Sequence, residues 1–308
     1  MTQNLSDNSL KKSAAVISVL VAILLAVFKF IAFIKTDSLA IFSSFVDSIT
    51  DLFASMISFI AVYFSTKPAS ISHRFGYGKT EALSALLQAV FVGISGAFVI
   101  SDGIKRLIHP VELSETGIGI AVMLFSIIAT VFLVLYQTYV ANKTKSLAIK
   151  ADRAHYTVDF LTNSAVIFSL LLVHFFGFVY FDVIAALFIS LYLLYNAYDL
   201  AKEAIELITD KELPEEIRSK VEKIVHSCKG VQGMHDFRSR NLGNIYHFEL
   251  HLEIDGNVSL LEAHEISSNV EKKILKAFPK SQILIHQDPA GVHENRLDHE
   301  LDGMCSID

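Results

Sequence analysis

The sequence predicts a polytopic α-helical membrane domain of six transmembrane helices followed by a small α+β domain in the cytosol. Three observations carry that expectation. Apolar residues make up 52% of the chain against 19% charged, and they gather before about residue 208, the profile of a membrane part joined to a soluble one. Six apolar stretches each approach the ~20 residues that cross a bilayer. Beyond residue 210 the chain turns to short helical and alternating patterns that suit a water-exposed fold.

The six stretches cover about 14–34, 39–64, 82–104, 117–140, 154–176 and 178–200. The third starts within the polar GYGKTEALS, and the last two, parted at Gly177, form a tight hairpin. Lys11, Lys12, Lys67, Arg74, Lys79, Lys143, Lys145, Lys150 and Arg153 flank one side, against Lys35, Lys105 and Arg106 on the other. The positive-inside rule then places both termini in the cytoplasm, in keeping with an even number of spans. The polar start, MTQNLSDNSLKKS, leads into an apolar run too long for a signal-peptide core, so no cleaved leader is expected. Lys29, inside the first stretch but towards its outer half, is expected to snorkel. Asp102 and Asp182 read as interfacial charges.

The chain therefore divides into a cytosolic N-terminal segment (1–13), a transmembrane domain (14–208), a cytosolic domain (209–290) and a polar, disordered tail (291–308). In the cytosolic domain LPEEIRSKVEKIVHSC has helical spacing behind a proline. IYHFELHLEI alternates strictly, with Tyr246, Phe248, Leu250, Leu252 and Ile254 on one face. LLEAHEISSNVEKKILKAF is helical again and SQILIHQD is a strand. With a strand near 234–239, the order is α-β-β-α-β, an open sandwich with its helices on one sheet face. Cys228 and Cys305 lie outside the apolar runs and form neither a disulfide framework nor a thiolate cluster. A net charge of −6 without a basic stripe argues against a nucleic-acid partner.

The chemistry concentrates in two apolar stretches. Asp47 and Asp51 in DSITD, and His155 and Asp159 in HYTVD, are pairs four residues apart, each on one face of a helix. A carboxylate at a helix centre costs roughly 2.5–3.5 kcal/mol, so three carboxylates and an imidazole without partners would cost on the order of 10 kcal/mol. Two packed helices can aim three carboxylate oxygens and one imidazole nitrogen at one point, a donor set suited to a tetrahedral divalent transition metal. The histidine favours zinc, ferrous iron, cobalt or cadmium over magnesium or calcium, and the lack of thiolates disfavours copper(I). Ser48, Thr50, Asn163 and Ser164 read as packing or supporting groups.

The motifs FVDSITD, HRFGYGKTEALSALLQAVFV, ADRAHYTVDFLTNS and HFELHLEID with ILIHQDP resemble the cation diffusion facilitators, in particular their bacterial zinc/iron-efflux branch. The resemblance runs from the first helix to about Pro289. It implies that Asp47, Asp51, His155 and Asp159 form a transport site. It also implies a homodimer in the plasma (inner) membrane that exports a divalent metal against inward proton flow. The metal is then substrate and ligand, no organic cofactor is expected, and the chain is a secondary transporter, not an enzyme. A passive metal channel and an intramembrane metalloenzyme are the alternatives; HExxH, the motif the latter would use, is missing.

The same resemblance assigns His235, His251, His264, His286 and Asp288 to a cytosolic metal site, with Asp288 bridging two metals. His235 and His251 would hold one metal, His264 and His286 the other. Alternation independently places His286 and Asp288 on one strand face. His226, His247, His293 and His299 are expected to be solvated. In PASISHRFGYGKTE relatives carry a further site of one aspartate and two histidines. Only His73 matches; Ser70 and Tyr77 occupy the other positions and are poor ligands, so that site is expected to be absent or very weak. Lys79 and Asp210 match a charge interlock joining the two domains.

Overall fold

The computed structural model describes residues 2–36, 39–108, 117–176, 181–243, 245–292 and 298. Six long helices come first: α1 (Thr2–Thr36), α2 (Leu39–Ser65), α3 (Thr80–Ile108), α4 (Gly117–Thr144), α5 (Leu147–Phe176) and α6 (Phe181–Ile208). Four of them, α1 to α4, are long and apolar enough to cross a membrane by length and composition among the described residues. Helix α1 packs on α2 and α4, and α5 packs on α2, α3 and α4. Small side chains allow the close approach: Ala14, Ala15, Ala61, Ala141 and Ala148 are all buried in one cluster. The outward face is apolar, with residues such as Leu20, Phe98, Phe132 and Phe188 exposed, as lipid contact requires.

Two helices begin well before the apolar runs do. Helix α1 starts at Thr2, so Lys11 is a helical residue, and α5 starts at Leu147, seven residues before the expected 154. Lys145 takes a left-handed backbone (φ 54) that ends α4. The Ser146 hydroxyl then accepts from the Ile149 N–H at 3.4 Å and starts α5. Asp152 and Arg153 consequently lie inside a helix, where a loop was expected.

A second compact unit runs from Glu206. It contains α7 (Glu215–His226), β1 (Val231–Asn241), β2 (Tyr246–Ile254), α8 (Leu260–Ala277) and β3 (Ser281–Pro289), the expected α-β-β-α-β order. The sheet order is β1-β2-β3, with β2 antiparallel to β1 and parallel to β3. The parallel pair needs a crossover, which α8 supplies. Ser259 and Glu262 form a capping box that starts α8. Phe248, Leu250, Leu252 and Ile254 pack with Val221, Val225, Val270 and Ile274 into one core, so both helices cover the same sheet face. That leaves the other face free for polar chemistry.

The turn at Gly177, the side chains of Asp102 and Asp182, and His293 and His299 lie outside what is described. So does most of the expected disordered tail. Asp298 is a described exception: its carboxylate accepts from the Asp236 N–H at 2.7 Å and its own N–H donates to Asp236 at 3.0 Å.

Candidate metal sites

Helices α2 and α5 bring Asp51, His155 and Asp159 together, with one ligand atom from each lying within 4.8 Å of the others. His155 Nε2 is 3.0 Å from Asp51 Oδ1, and the two side chains are only 13% and 12% exposed. With Asp51 ionised, that contact places a proton on Nε2. Asn163 donates to the Asp159 carbonyl at 2.7 Å, tying it to the next turn. Asp47, the fourth expected ligand, stands one turn before Asp51 on α2 with its side chain exposed, and among the described residues it is outside this cluster.

Lys29 does not snorkel. It is 6% exposed, and its ammonium donates to Ser48 Oγ at 2.7 Å and to the Ser44 carbonyl at 3.2 Å. A hydroxyl and a carbonyl on the adjacent helix satisfy the charge without a path to the interface. The contact sets a cation on the stretch of α2 that carries both aspartates.

Two buried carboxylates escape a spacing-based reading. Asp152, fully buried, accepts from Ser18 Oγ at 2.6 Å, from Gln137 Nε2 at 2.6 Å and, more weakly, from Ser55 Oγ at 3.4 Å. Ser55 also shares a 2.8 Å bond with the Tyr156 hydroxyl. One carboxylate thus joins α1, α2, α4 and α5, and it does so one turn before His155. The signal was its i, i+3 and i, i+7 spacing to His155 and Asp159, masked by the neighbouring Lys150 and Arg153. Glu81 plays a similar part at the C-terminal end of α2. It accepts from Lys11 Nζ at 2.8 Å, Ser65 Oγ at 2.7 Å and Ser146 Oγ at 2.5 Å.

In the loop before α3, Ser70, His73 and Tyr77 do meet, but through each other. Ser70 Oγ and the Tyr77 hydroxyl are 3.0 Å apart, and the His73 ring stacks on Tyr77 at 4.4 Å. Ser72 Oγ is 3.1 Å from His73 Nδ1. A hydroxyl and a phenol stand where two metal-binding side chains would be needed.

In the C-terminal unit the strand register aligns His235, His251 and His286 in one row across β1, β2 and β3. Their rings are 5.1 and 4.6 Å apart between neighbours. Asp288 is buried against them and divides its oxygens. Oδ2 is 2.8 Å from His251 Nδ1 and 3.4 Å from His235 Nε2, while Oδ1 is 3.1 Å from His286 Nε2. Such a carboxylate can bridge two metal centres. Two acids were missed. Glu253 Oε1 lies 3.1 Å from His235 Nδ1 without hydrogen-bond alignment. It reaches there because Gly233 has no Cβ, which would sit 2.6 Å from Glu253 Oε2. Asp236, left-handed (φ 47) at a bulge in β1, clusters with His235 and His251. His264 is exposed on α8, close to Ser268, and joins no cluster among the described residues. His247, expected to be solvated, is buried, and burial together with the facing Arg240 lowers its pKa.

Lys79 lies in the turn leading into α3, its carbonyl accepting from the Leu83 N–H. Asp210 has a left-handed backbone (φ 58) after α6, and its carboxylate is 3.4 Å from the Arg240 guanidinium.

Comparison with known proteins agrees with this layout. Residues 15–209 match the cation efflux transmembrane domain, and residues 213–290 match the cation efflux protein cytoplasmic domain. "Protein p34" of Rickettsia rickettsii is 40% identical across 94% of this chain and 96% of its own length. The cation-efflux pump FieF of Citrobacter koseri is 38% identical across 94% and 96%. Among solved structures, the metal-bound C-terminal domain of the CzcD transporter from Thermotoga maritima is 28% identical, covering 26% of this chain and 93% of that one, with a TM-score of 0.25.

Proposed function

The chain belongs to the cation efflux (cation diffusion facilitator) family, and from that premise we propose that it exports divalent transition-metal ions in exchange for inward protons. Zinc and ferrous iron are the leading substrates, and cadmium and cobalt suit the same donors. The observation that carries the reading is the meeting of Asp51, His155 and Asp159 within 4.8 Å inside the helical domain. Metal and protons compete for those atoms, because a ligand must be deprotonated to bind. Open to the cytosol, the site loads metal and releases the His155 proton. Open to the other side, protons return and displace the metal. Asp47 completes the set when α2 turns its exposed carboxylate inward.

The protein works as a homodimer in the plasma (inner) membrane with both termini in the cytoplasm. Metal at His235, His251, His286 and Asp288 tightens the cytoplasmic domains as its concentration rises and shifts the conformational balance. The test is metal uptake into inverted or reconstituted vesicles, with several metals, with and without a pH gradient. Saturable uptake that collapses when the gradient is dissipated supports exchange. Unsaturable uptake indifferent to the gradient would support a passive pore.

A further inference from the structure

A half-open cavity of about 290 Å³ lies between α3, α4, α5 and α6. It is walled by apolar side chains such as Val92 and receives Arg153, Thr138, Thr157, Tyr192 and Asn196. No aspartate or glutamate lines it among the described residues, and the Arg153 guanidinium makes no ion pair among them.

The free hydrogen-bonding capacity is donor-rich. The Thr138 and Thr157 hydroxyls already donate within their own helices, to Val134 at 2.7 Å and Arg153 at 2.8 Å. Left to donate are the guanidinium, the Tyr192 hydroxyl and the second N–H of Asn196, whose first N–H is bound to the Tyr192 carbonyl; the two threonine oxygens and Asn196 Oδ1 are the lesser set of acceptors. A cation and neutral donors against apolar walls select an anion that carries hydrocarbon with it.

Position narrows the class. Lys150, one turn before Arg153, pairs with Glu203 and lies 3.6 Å from Asp199, so it offsets one of the two nearby negative charges. The ion pairs mark the water-facing end of α5 and α6. Arg153 is about 5 Å further along its helix, just inside that end. This is also the end of α6 from which the chain continues into the cytoplasmic domain. Anionic lipids concentrate in that leaflet and bind basic pockets between helices.

We propose that this cavity binds the phosphate headgroup of an anionic phospholipid, with Arg153 holding the phosphate, Tyr192 and Asn196 donating to it, and an acyl chain along the apolar wall. The α5 residues involved lie on the side of the helix roughly 150° away from His155 and Asp159, so an occupant braces from behind the helix that carries the site.

Native mass spectrometry of the detergent-solubilised full chain tests this, with dioleoyl-phosphatidylglycerol, dioleoyl-phosphatidylcholine and inorganic phosphate as probes. The expected result is saturable binding of phosphatidylglycerol over phosphatidylcholine, weakened about fivefold in Arg153→Met and less in Arg153→Lys. Should Arg153→Met fail to fold, the pair Tyr192→Phe with Asn196→Leu is to show the same selective loss. Equal binding of the two lipids, or unaltered phosphatidylglycerol binding in the variants, overturns the proposal. Saturation by inorganic phosphate alone overturns it in favour of a soluble anion. A variant that alters the dimer fraction and leaves lipid binding untouched overturns it in favour of a contact between copies.

Discussion

Lys11 donates to Glu81 at 2.8 Å across 70 residues of sequence, and both side chains are almost wholly out of water. Glu81 also takes Ser65 and Ser146, so α1, the end of α2, the start of α3 and the residue before α5 converge on one carboxylate. Removing one partner of such a pair leaves a buried charge alone, at a cost of about 3–5 kcal/mol. Lys11→Met and Glu81→Gln are each expected to lower the unfolding temperature in detergent sharply. The double variant is expected to lose less than the sum, and a thermal-unfolding cycle reads the difference.

At the metal cluster, Asp51→Asn and Asp159→Asn are each expected to lower metal uptake by about 100-fold or more, given that even indirect supports of a metal site are worth 10–100-fold. His155→Asp is expected to keep transport and change the number of protons exchanged per metal. Parallel recording of vesicle pH and metal content checks both. Unaltered stoichiometry in His155→Asp would show that the imidazole is not a proton carrier.

Ser18 and Gln137 both donate to Asp152 Oδ2, so Asp152→Asn can still accept from both, but its amide N–H replaces the oxygen that accepts from Ser55. Charge-assisted bonds become neutral ones in a dry interior, costing about 1–3 kcal/mol. Ser18→Ala is expected to cost less. Chemical denaturation in detergent orders the two.

In the cytoplasmic domain, Asp288→Asn is expected to weaken metal binding more than His286→Ala, because Asp288 faces three histidines and His286 is 64% exposed at the edge of the row. Calorimetric titration of the full chain with zinc, in a background of Asp51→Asn, isolates this site from the membrane one.

His247 supplies a pH dependence. Its pKa is held below the ordinary value by burial first and then by Arg240, so the unfolded chain binds the proton more readily. Stability is then constant above the ordinary histidine value of about 6.5 and falls as pH drops below it, levelling off beneath the folded pKa. His247→Gln is expected to flatten that part of the stability–pH curve, read from urea midpoints followed at the cytoplasmic domain.

Much of this architecture is legible in the sequence because its signals are local. Apolar runs mark the helices, strict alternation from Tyr246 to Ile254 marks β2, and paired spacing picks out Asp51, His155 and Asp159. Lys11, Glu81 and Asp152 stay hidden for a physical reason. Charges at the ends of apolar runs ordinarily face water, and only tertiary packing reveals that partners from other helices enclose these three. Lys29 misleads in the same way: its partner Ser48 is 19 residues away, beyond the reach of any helical periodicity. Sheet order is likewise non-local, since the pairing of β2 with β3 depends on where α8 crosses.

The histidine row has one more consequence. His235, His251 and His286 are in register only if all three strands pair without error. A slip of β3 by one residue would turn His286 and Asp288 to the helix-covered face and bring Gln287 to the row. A metal bound by all three strands would therefore reward the correct pairing alone and make the register itself part of the affinity.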